Sequence, residues 1–206
     1  MKTSTVLLFT LASITGCSMT HGDPTHPKKN PHPVKRYEVT ATADAPGPWD
    51  SVKGYIVYEV SNRECVPRGS FTGGQNIPNV DFDFEMTRVD DRTWKGYFYE
   101  DLLQDEDYFG LGACHWDVAT IGPKFIVHGS SFTPGDALGV FRRRGHETEY
   151  FRKSDFLEGS RNLNGLPYLD TRPEFKKSPE QFFPVTVTVK EVTPGTPTRK
   201  SLPNRP

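Results

Sequence analysis

Residues 80–86 read VDFDFEM, in which apolar and acidic side chains alternate at every step. Successive side chains of a strand point to opposite faces, so the apolar residues of this stretch share one face and the acids share the other. Residues 37–43, YEVTATA, and 185–189, VTVTV, repeat the alternation, with threonine prominent on the outward face. The three stretches predict half-buried strands of an antiparallel sheet.

The remainder of residues 35–192 carries the same signal in shorter pieces. Further candidate strands occur at residues 54–60, 94–100, 111–118, 124–129, 137–141 and 148–152. The segments TRVDDRT at 87–93 and RRRGHE at 142–147 have the composition of hairpin turns, and no long amphipathic helix pattern stands out. Short strands joined by turns predict an all-β fold, built as an antiparallel β-sandwich.

One strand suggests an architectural parallel for this sandwich. Alternation in residues 111–118, LGACHWDV, puts Cys114 and Trp116 on the core side and His115 on the other. A core tryptophan beside a cysteine resembles immunoglobulin-like sandwiches, but the cysteine spacing and the tryptophan order differ, so only the architecture is implied. Residues 154–183 form one long irregular connection, which is unusual unless it covers a sheet, closes an edge or binds something.

The chain opens with Lys2, roughly a dozen mostly apolar residues and then small ones, which is typical of a secretory signal peptide rather than a membrane-spanning helix. Residues 14–17, ITGC, then resemble a bacterial lipobox. The resemblance implies that residues 1–16 are cleaved and that Cys17 is lipidated. Ser18 after the cysteine implies an outer-membrane lipid anchor with the protein facing the periplasm. The alternative is an ordinary signal peptide that contains a cysteine.

Proline-rich polar sequence borders the predicted domain on both sides. Residues 17–34 predict a lipid-anchored, extended tether whose histidines have no regular structure to bring them to one metal, and residues 193–206 predict a disordered tail. The formal net charge of −1 includes Lys2 of the leader. The chain without its leader therefore has no basic field, and we expect no nucleic-acid partner.

Two cysteines remain after Cys17, namely Cys65 and Cys114. In an exported chain, an even count predicts one disulfide, which in the chain-entropy model would contribute roughly 4 kcal/mol. The alternative is a catalytic thiol, but adjacent strand residues face opposite ways, so His115 is poorly placed to serve Cys114 as a base.

The densest charge lies in residues 99–110, YEDLLQDEDYFG. Aromatic residues flank the acids here, and this mixture favours a partner-binding surface. The residues that we predict to form it are Asp105, Glu106, Asp107, Tyr108 and Phe109. A solvated acidic loop is the alternative. Calcium is disfavoured because aromatic residues stand where a calcium loop needs small or oxygen-bearing ones, and we predict no metal site.

Enzyme signatures are missing from the sequence. It has no G-x-S-x-G, no H-E-x-x-H, no phosphate-binding glycine loop and no C-x-x-C. The expectation is a protein that is not an enzyme and needs no cofactor, with an envelope hydrolase or glycan-binding module as an alternative.

The leader and residues 105–116, DEDYFGLGACHW, resemble periplasmic immunity lipoproteins of type VI secretion systems with lipase effectors. The resemblance implies a lipid-anchored periplasmic binding protein that neutralises a toxin effector, with the membrane contacted through the N-terminal lipid. The alternative is a structural or assembly lipoprotein of an envelope or secretion complex.

Overall fold

The structure, a computed structural model, describes residues 21–71, 73–159, 162–163, 165–167 and 171–193. Short 3-10 turns occur at Arg63–Cys65 and Pro179–Gln181. The regular elements are β1 (Arg36–Ala43), β2 (Ser51–Val60), β3 (Asn79–Arg88), β4 (Thr93–Tyr99), β5 (Trp116–Val127), β6 (Ser130–Phe132), α1 (Leu138–Arg144), β7 (His146–Arg152), α2 (Lys153–Glu158), β8 (Asn162–Leu163), β9 (Leu166–Pro167), α3 (Pro173–Lys177) and β10 (Phe182–Glu191).

The ten strands form one sheet in the order β8-β6-β5-β2-β3-β4-β1-β10-β7-β9. All neighbouring pairs are antiparallel except β6 and β8, so the prediction of an all-β fold is confirmed. The sheet curls strongly. Strands β6 and β7 are near opposite ends of the strand order, and yet the ring of Phe132 on β6 lies 5.2 Å from that of Phe151 on β7.

The alternating stretches fold as their patterns predict. In β1 the side chains of Tyr37, Val39, Ala41 and Ala43 are buried on the inner face of the curl. In β10 the valines are buried, while threonines form the outer face, where Thr186 pairs with Thr42 of β1. Burial of the apolar set fixes the register, because a slip by one residue would expose it.

The strand pairing does not confirm the predicted two-sheet sandwich. Strand β3 pairs with β2 along residues 79–85 and then with β4 through residues 86–88, so it carries the sheet around a corner. The ring of Phe84 lies over Gly54 at this corner, where a Cβ atom would overlap it. A Cβ on Gly96 would lie 2.8 Å from the Glu85 carbonyl oxygen. Glycine at these positions lets the two halves join as a single sheet.

Two predicted local structures differ from the sequence-based expectation. The predicted strands 111–118 and 124–129 contribute residues 116–118 and 124–127 to one long strand, β5, with a bulge opposite Val57 and Tyr58, whereas residues 111–115 belong to the loop before it. Residues 137–141 were expected as a strand and 142–147 as a hairpin turn, whereas the chain there is helix α1, which ends at Gly145 with φ of 81°. The helix buries Leu138 and Phe141, and this i, i+3 pair is the helical signal in the sequence.

The long connection 154–183 contains α2, β8, β9 and α3, and its middle closes the curl. Strand β8 pairs with β6 at one edge of the sheet, and β9 pairs with β7 at the other. Residues 162–167 therefore connect the two edges, and we call this segment the seam. Closing an edge was one of the roles that the sequence allowed for the connection.

The strand directions define two ends of the curled sheet. Strands β1, β3 and β5 begin, and β2 and β4 end, at what we call the N-terminal pole. The far pole carries the hairpin at residues 89–92 and the turn at His128 and Gly129, whose positive φ values of 48° and 75° fit a tight two-residue hairpin. In the described part of the chain, no helix has the length and apolar character that crossing a membrane requires.

Candidate functional site

The N-terminal pole is covered by a segment that the sequence assigned to the tether. Residues 22–35, which we call the strap, run antiparallel to residues 100–104, with Lys29 bridged to Leu103. The backbone N–H of Asn30 donates to the Leu102 carbonyl at 2.7 Å, and the N–H of Gln104 donates to the Lys28 carbonyl at 2.9 Å. The strap is therefore paired like a short additional strand.

A carboxylate locks the end of the strap where β1 begins. Asp101 accepts the backbone N–H of Val34 and that of Lys35, each at 2.9 Å, and its carbonyl accepts the side-chain amide of Asn30 at 3.0 Å. Over residues 21–34 the structure thus differs from an extended spacer. Cys17 and the signal peptide, like the predicted tail beyond residue 193, lie outside the described residues.

The predicted disulfide is confirmed. Cys65 and Cys114 are bonded with their Cα atoms 5.4 Å apart, and both are buried. They form a small second core with Val60, Val66 and Tyr108, separate from the main core of the curl. The bond joins the connection between β2 and β3 to the loop that precedes β5, so the two loops of the N-terminal pole share one base.

The predicted partner-binding residues follow one another along this second loop, but their carboxylates are occupied within the domain. Asp105 contacts His115 Nδ1 at 2.7 Å and accepts the Trp116 backbone N–H at 3.3 Å. Glu106 forms an ion pair with Lys28 of the strap at 2.5 Å, and its side chain is only 18% exposed. Both acids therefore act inside the pole, as a loop brace and as a contact to the strap.

Asp107 holds the tip of the loop. One of its oxygens accepts the backbone N–H groups of Phe109, Gly110 and Leu111 at 3.2, 2.7 and 3.1 Å. Partial desolvation raises the pKa of Asp107, but the backbone N–H donors outweigh it, so that the pKa lies below its ordinary value. The carboxylate consequently fixes the shape of residues 107–111.

The two aromatic residues predicted as binding anchors differ in position. Tyr108 is 4% exposed and accepts the indole N–H of Trp116 at 3.0 Å, and its pKa is raised by burial. Phe109 is half-buried against the same small core. Tyr108 therefore cannot contribute a contact surface. Sequence alternation could not show this, because the segment is a loop in which side-chain direction has no period.

A polar cavity of about 500 Å³ lies beneath the strap. Its lining includes Asn30, Lys35, Glu100, Asp105 and Trp116. Among the described residues, no group of three or more histidines, cysteines and acids has the geometry to hold a metal ion.

An ion pair that the sequence did not predict borders this cavity. Glu100 binds the Arg142 guanidinium at 2.5 Å, and Arg142 also donates to the Tyr37 hydroxyl at 2.6 Å. Arg142 comes from α1, which sequence reasoning took for a strand and turn, so its direction could not be predicted. The contact ties α1 to the N-terminal pole.

The far pole carries a second candidate site, a cleft of about 240 Å³ lined by both polar and aromatic residues. Trp49 and Trp94 form its walls together with Val52, Met86 and Arg88. Trp94 stacks edge-on against the ring of Phe125 at 5.3 Å, and it is 7% exposed. The sequence did not predict this cleft, in which Trp49 precedes β2 and Trp94 is the second residue of β4.

A third cavity, of about 370 Å³, opens beside the seam and contains the carboxylate of Glu149. Glu149 accepts the Gly135 N–H at 2.7 Å and also a backbone hydrogen bond from Gly165. Burial, together with the charges of Asp136 and Glu147, raises its pKa to about 6. Burial likewise raises the pKa of Tyr55, on the cavity wall, to about 12.

Sequence reasoning missed Glu149, although a signal was present. Glu147 and Glu149 pair with Val187 and Val185, whose side chains are buried on the inner face. The two acids therefore occupy inward positions of β7, where an antiparallel strand normally has apolar residues.

The chain matches no protein-family model, no curated protein and no solved structure.

Proposed function

We propose that the chain is a lipid-anchored envelope protein that binds a protein partner, and specifically an immunity lipoprotein that neutralises a toxin effector. The single observation that carries the proposal is the position of the strap. Residue 21 lies against the loop at 107–110, and the lipobox cysteine precedes it by four residues. An anchor at Cys17 would therefore tether the domain by its N-terminal pole and leave the far pole directed away from the membrane.

The far-pole cleft supports binding of a protein at that end. Tryptophan, methionine and arginine are enriched in the cores of protein interfaces, and the cleft has all three in Trp49, Met86 and Arg88. Arg88 is held in place by an ion pair with Asp91 at 2.9 Å and by donation to the Asp90 carbonyl. A partner side chain inserted there would meet a largely preformed pocket, which reduces the entropy lost on binding.

Membrane fractionation tests the anchor. The wild-type chain should be acylated and sediment with membranes, and Cys17→Ala should be recovered in the soluble envelope fraction. An acylated, membrane-bound Cys17→Ala protein would contradict the lipobox interpretation.

A toxin-challenge assay tests the binding function. Cells lacking this protein should be killed by a sibling strain that delivers the effector, and the wild-type gene should restore survival. Arg88→Glu should fail to restore survival, whereas Arg143→Glu, an exposed charge reversal on α1, should succeed. Survival that does not depend on the gene, together with stable co-purification of secretion-machine components, would instead indicate an assembly lipoprotein.

A further inference from the structure

The N-terminal pole has exposed apolar side chains that no contact within the domain explains. Three of the large apolar residues exposed in the described chain lie there: Val34, Phe71 and Leu111, which are 63%, 101% and 52% exposed. Phe71 lies in the connection between β2 and β3, and Leu111 in the loop before β5. The disulfide joins the bases of the two loops, so one surface that meets the N-terminal pole could cover both apolar side chains.

Both loops are held rigidly. The disulfide joins their bases, and the side chain of Gln75 donates to the carbonyls of Arg63 and Val66 at 2.7 and 2.6 Å beneath the Phe71 loop. Asp107 fixes the Leu111 loop through its backbone N–H contacts. The two apolar side chains are therefore presented by fixed supports rather than by collapsed loops, and little conformational entropy would be lost when they become covered.

The length of chain between the strap and Cys17 decides what covers this surface. His21 contacts the Asp107 carbonyl at 3.3 Å, and an ideal Cβ on Gly110 would lie 3.4 Å from its ring. Four residues of fully extended chain span at most about 14 Å. Provided that Cys17 is acylated, as the proposed function requires, the Leu111 loop cannot be far from the bilayer surface.

The charge at this pole is mixed. Glu106 is paired with Lys28 and Asp105 contacts His115, while Asp107 keeps its negative charge as it accepts backbone N–H groups. Beside the Phe71 loop, Arg63 and Arg68 are exposed together with Glu64. Exposed arginines next to apolar side chains suit the headgroup region of an anionic leaflet, where the cation meets phosphate and the ring reaches the acyl boundary.

We propose that Phe71 and Leu111 insert into the headgroup region of the bilayer that holds the Cys17 lipid. The N-terminal pole then rests on the membrane as a two-loop foot, and the far-pole cleft faces away from the membrane. The acyl anchor supplies attachment, and the foot supplies orientation.

The test uses the acylated full chain in vesicles of phosphatidylethanolamine and phosphatidylglycerol. An environment-sensitive fluorophore is attached to a cysteine introduced by Leu111→Cys or, as a control of similar exposure at the far pole, by Val89→Cys, which replaces a side chain that is 55% exposed. The Leu111→Cys label should shift to shorter wavelength and be quenched severalfold more strongly by nitroxide-headgroup lipids than the Val89→Cys label. Equal, weak quenching at both positions in vesicle-bound protein would overturn the foot.

A second measurement tests membrane binding without the acyl anchor. The soluble Cys17→Ala chain should bind the same vesicles weakly in sedimentation, and Phe71→Ser with Leu111→Ser should lower that binding severalfold. The matched control, Val89→Ser with Leu157→Ser, replaces two exposed apolar residues at the far pole and should leave it unchanged. A wild-type chain that is neither acylated nor membrane-bound would refute the proposed function. An acylated, bound chain whose foot variants behave like the controls would refute only the foot.

Discussion

Trp116 donates its indole N–H to the Tyr108 hydroxyl at 3.0 Å, across the small core that the disulfide anchors. This contact holds Tyr108 inside the domain, whereas the sequence predicts it on a partner-binding surface with the adjacent acids. Tyr108 therefore stabilises the pole, and Phe109 remains half-buried against the same small core.

Tyr108→Phe should lower the free energy of unfolding by about 1–2 kcal/mol, because the indole N–H of Trp116 loses its partner in a part-buried site. Denaturant unfolding followed by tryptophan fluorescence measures the change. Tyr97→Phe is the control, since it removes an exposed hydroxyl that donates to Glu38 at the surface, and it should change the stability by less than about 0.5 kcal/mol. Equal small effects from the two variants would contradict the structural role of Tyr108.

Asp101→Ala should release the strap while leaving the sheet intact. The variant removes the acceptor for the Val34 and Lys35 N–H groups, so amide hydrogen exchange across residues 28–35 should accelerate about tenfold, as expected for the loss of bonds worth about 1–1.5 kcal/mol. Exchange in β10 should not change. Glu85→Ala, which removes an exposed acid on the outer face of β3, is the control. Unaltered exchange in the strap would show that Asp101 does not hold it.

The double variant Cys65→Ala with Cys114→Ala should lower the stability by roughly 4 kcal/mol in the chain-entropy model, since it releases a loop closed over 49 residues. Thermal unfolding of this variant and of the reduced wild type should agree. The unreduced native protein should not react with thiol reagents at either cysteine, and labelling there would show that the bond does not form in solution.

Glu149 predicts an unusual pH dependence of stability. Its pKa rises from an ordinary 4.5 to about 6 in the folded chain. Below pH 4.5 the group is therefore protonated in both the folded and the unfolded state. As the pH rises, the group ionises more readily in the unfolded state, so the free energy of unfolding falls. Between pH 4.5 and 7.5 this group should therefore subtract up to about 2 kcal/mol. Glu149→Gln should remove that part of the decline.

Urea unfolding at pH 4.5 and at pH 7.5 measures how the free energy of unfolding changes with pH. This change does not depend on hydrogen bonds that the variant loses equally at both pH values. Glu85→Gln removes an exposed acid of β3 and serves as the control. A wild-type slope that Glu149→Gln leaves intact would show that the seam carboxylate does not titrate in this range.

The sequence predicts the parts of the fold that follow from local period. Alternation identifies the buried faces of β1, β3 and β10, and the even cysteine count identifies the disulfide. It could not predict the continuous sheet, because the β3 to β4 corner depends on Phe84 fitting over Gly54, which is thirty residues earlier in the chain.

The candidate sites were less predictable than the fold. The acidic run was visible in the sequence, but the strap that occupies Glu106 is about eighty residues away, and its pairing with residues 100–104 has no local signature. The far-pole cleft is likewise formed by the start of β2 and the hairpin between β3 and β4. Such sites depend on tertiary placement, which composition and period do not encode.

The seam also bears on how the protein behaves at high concentration. Strand β9 pairs with Glu149 and Tyr150 in the middle of β7, so it interrupts the row of N–H and C=O groups with which a second copy could continue the sheet. Without residues 162–167, the seven residues of β7 would form a bare edge of the kind that templates fibrils. The segment that closes the curl thus also limits edge-to-edge pairing between copies, and its deletion should increase the tendency of the protein to aggregate.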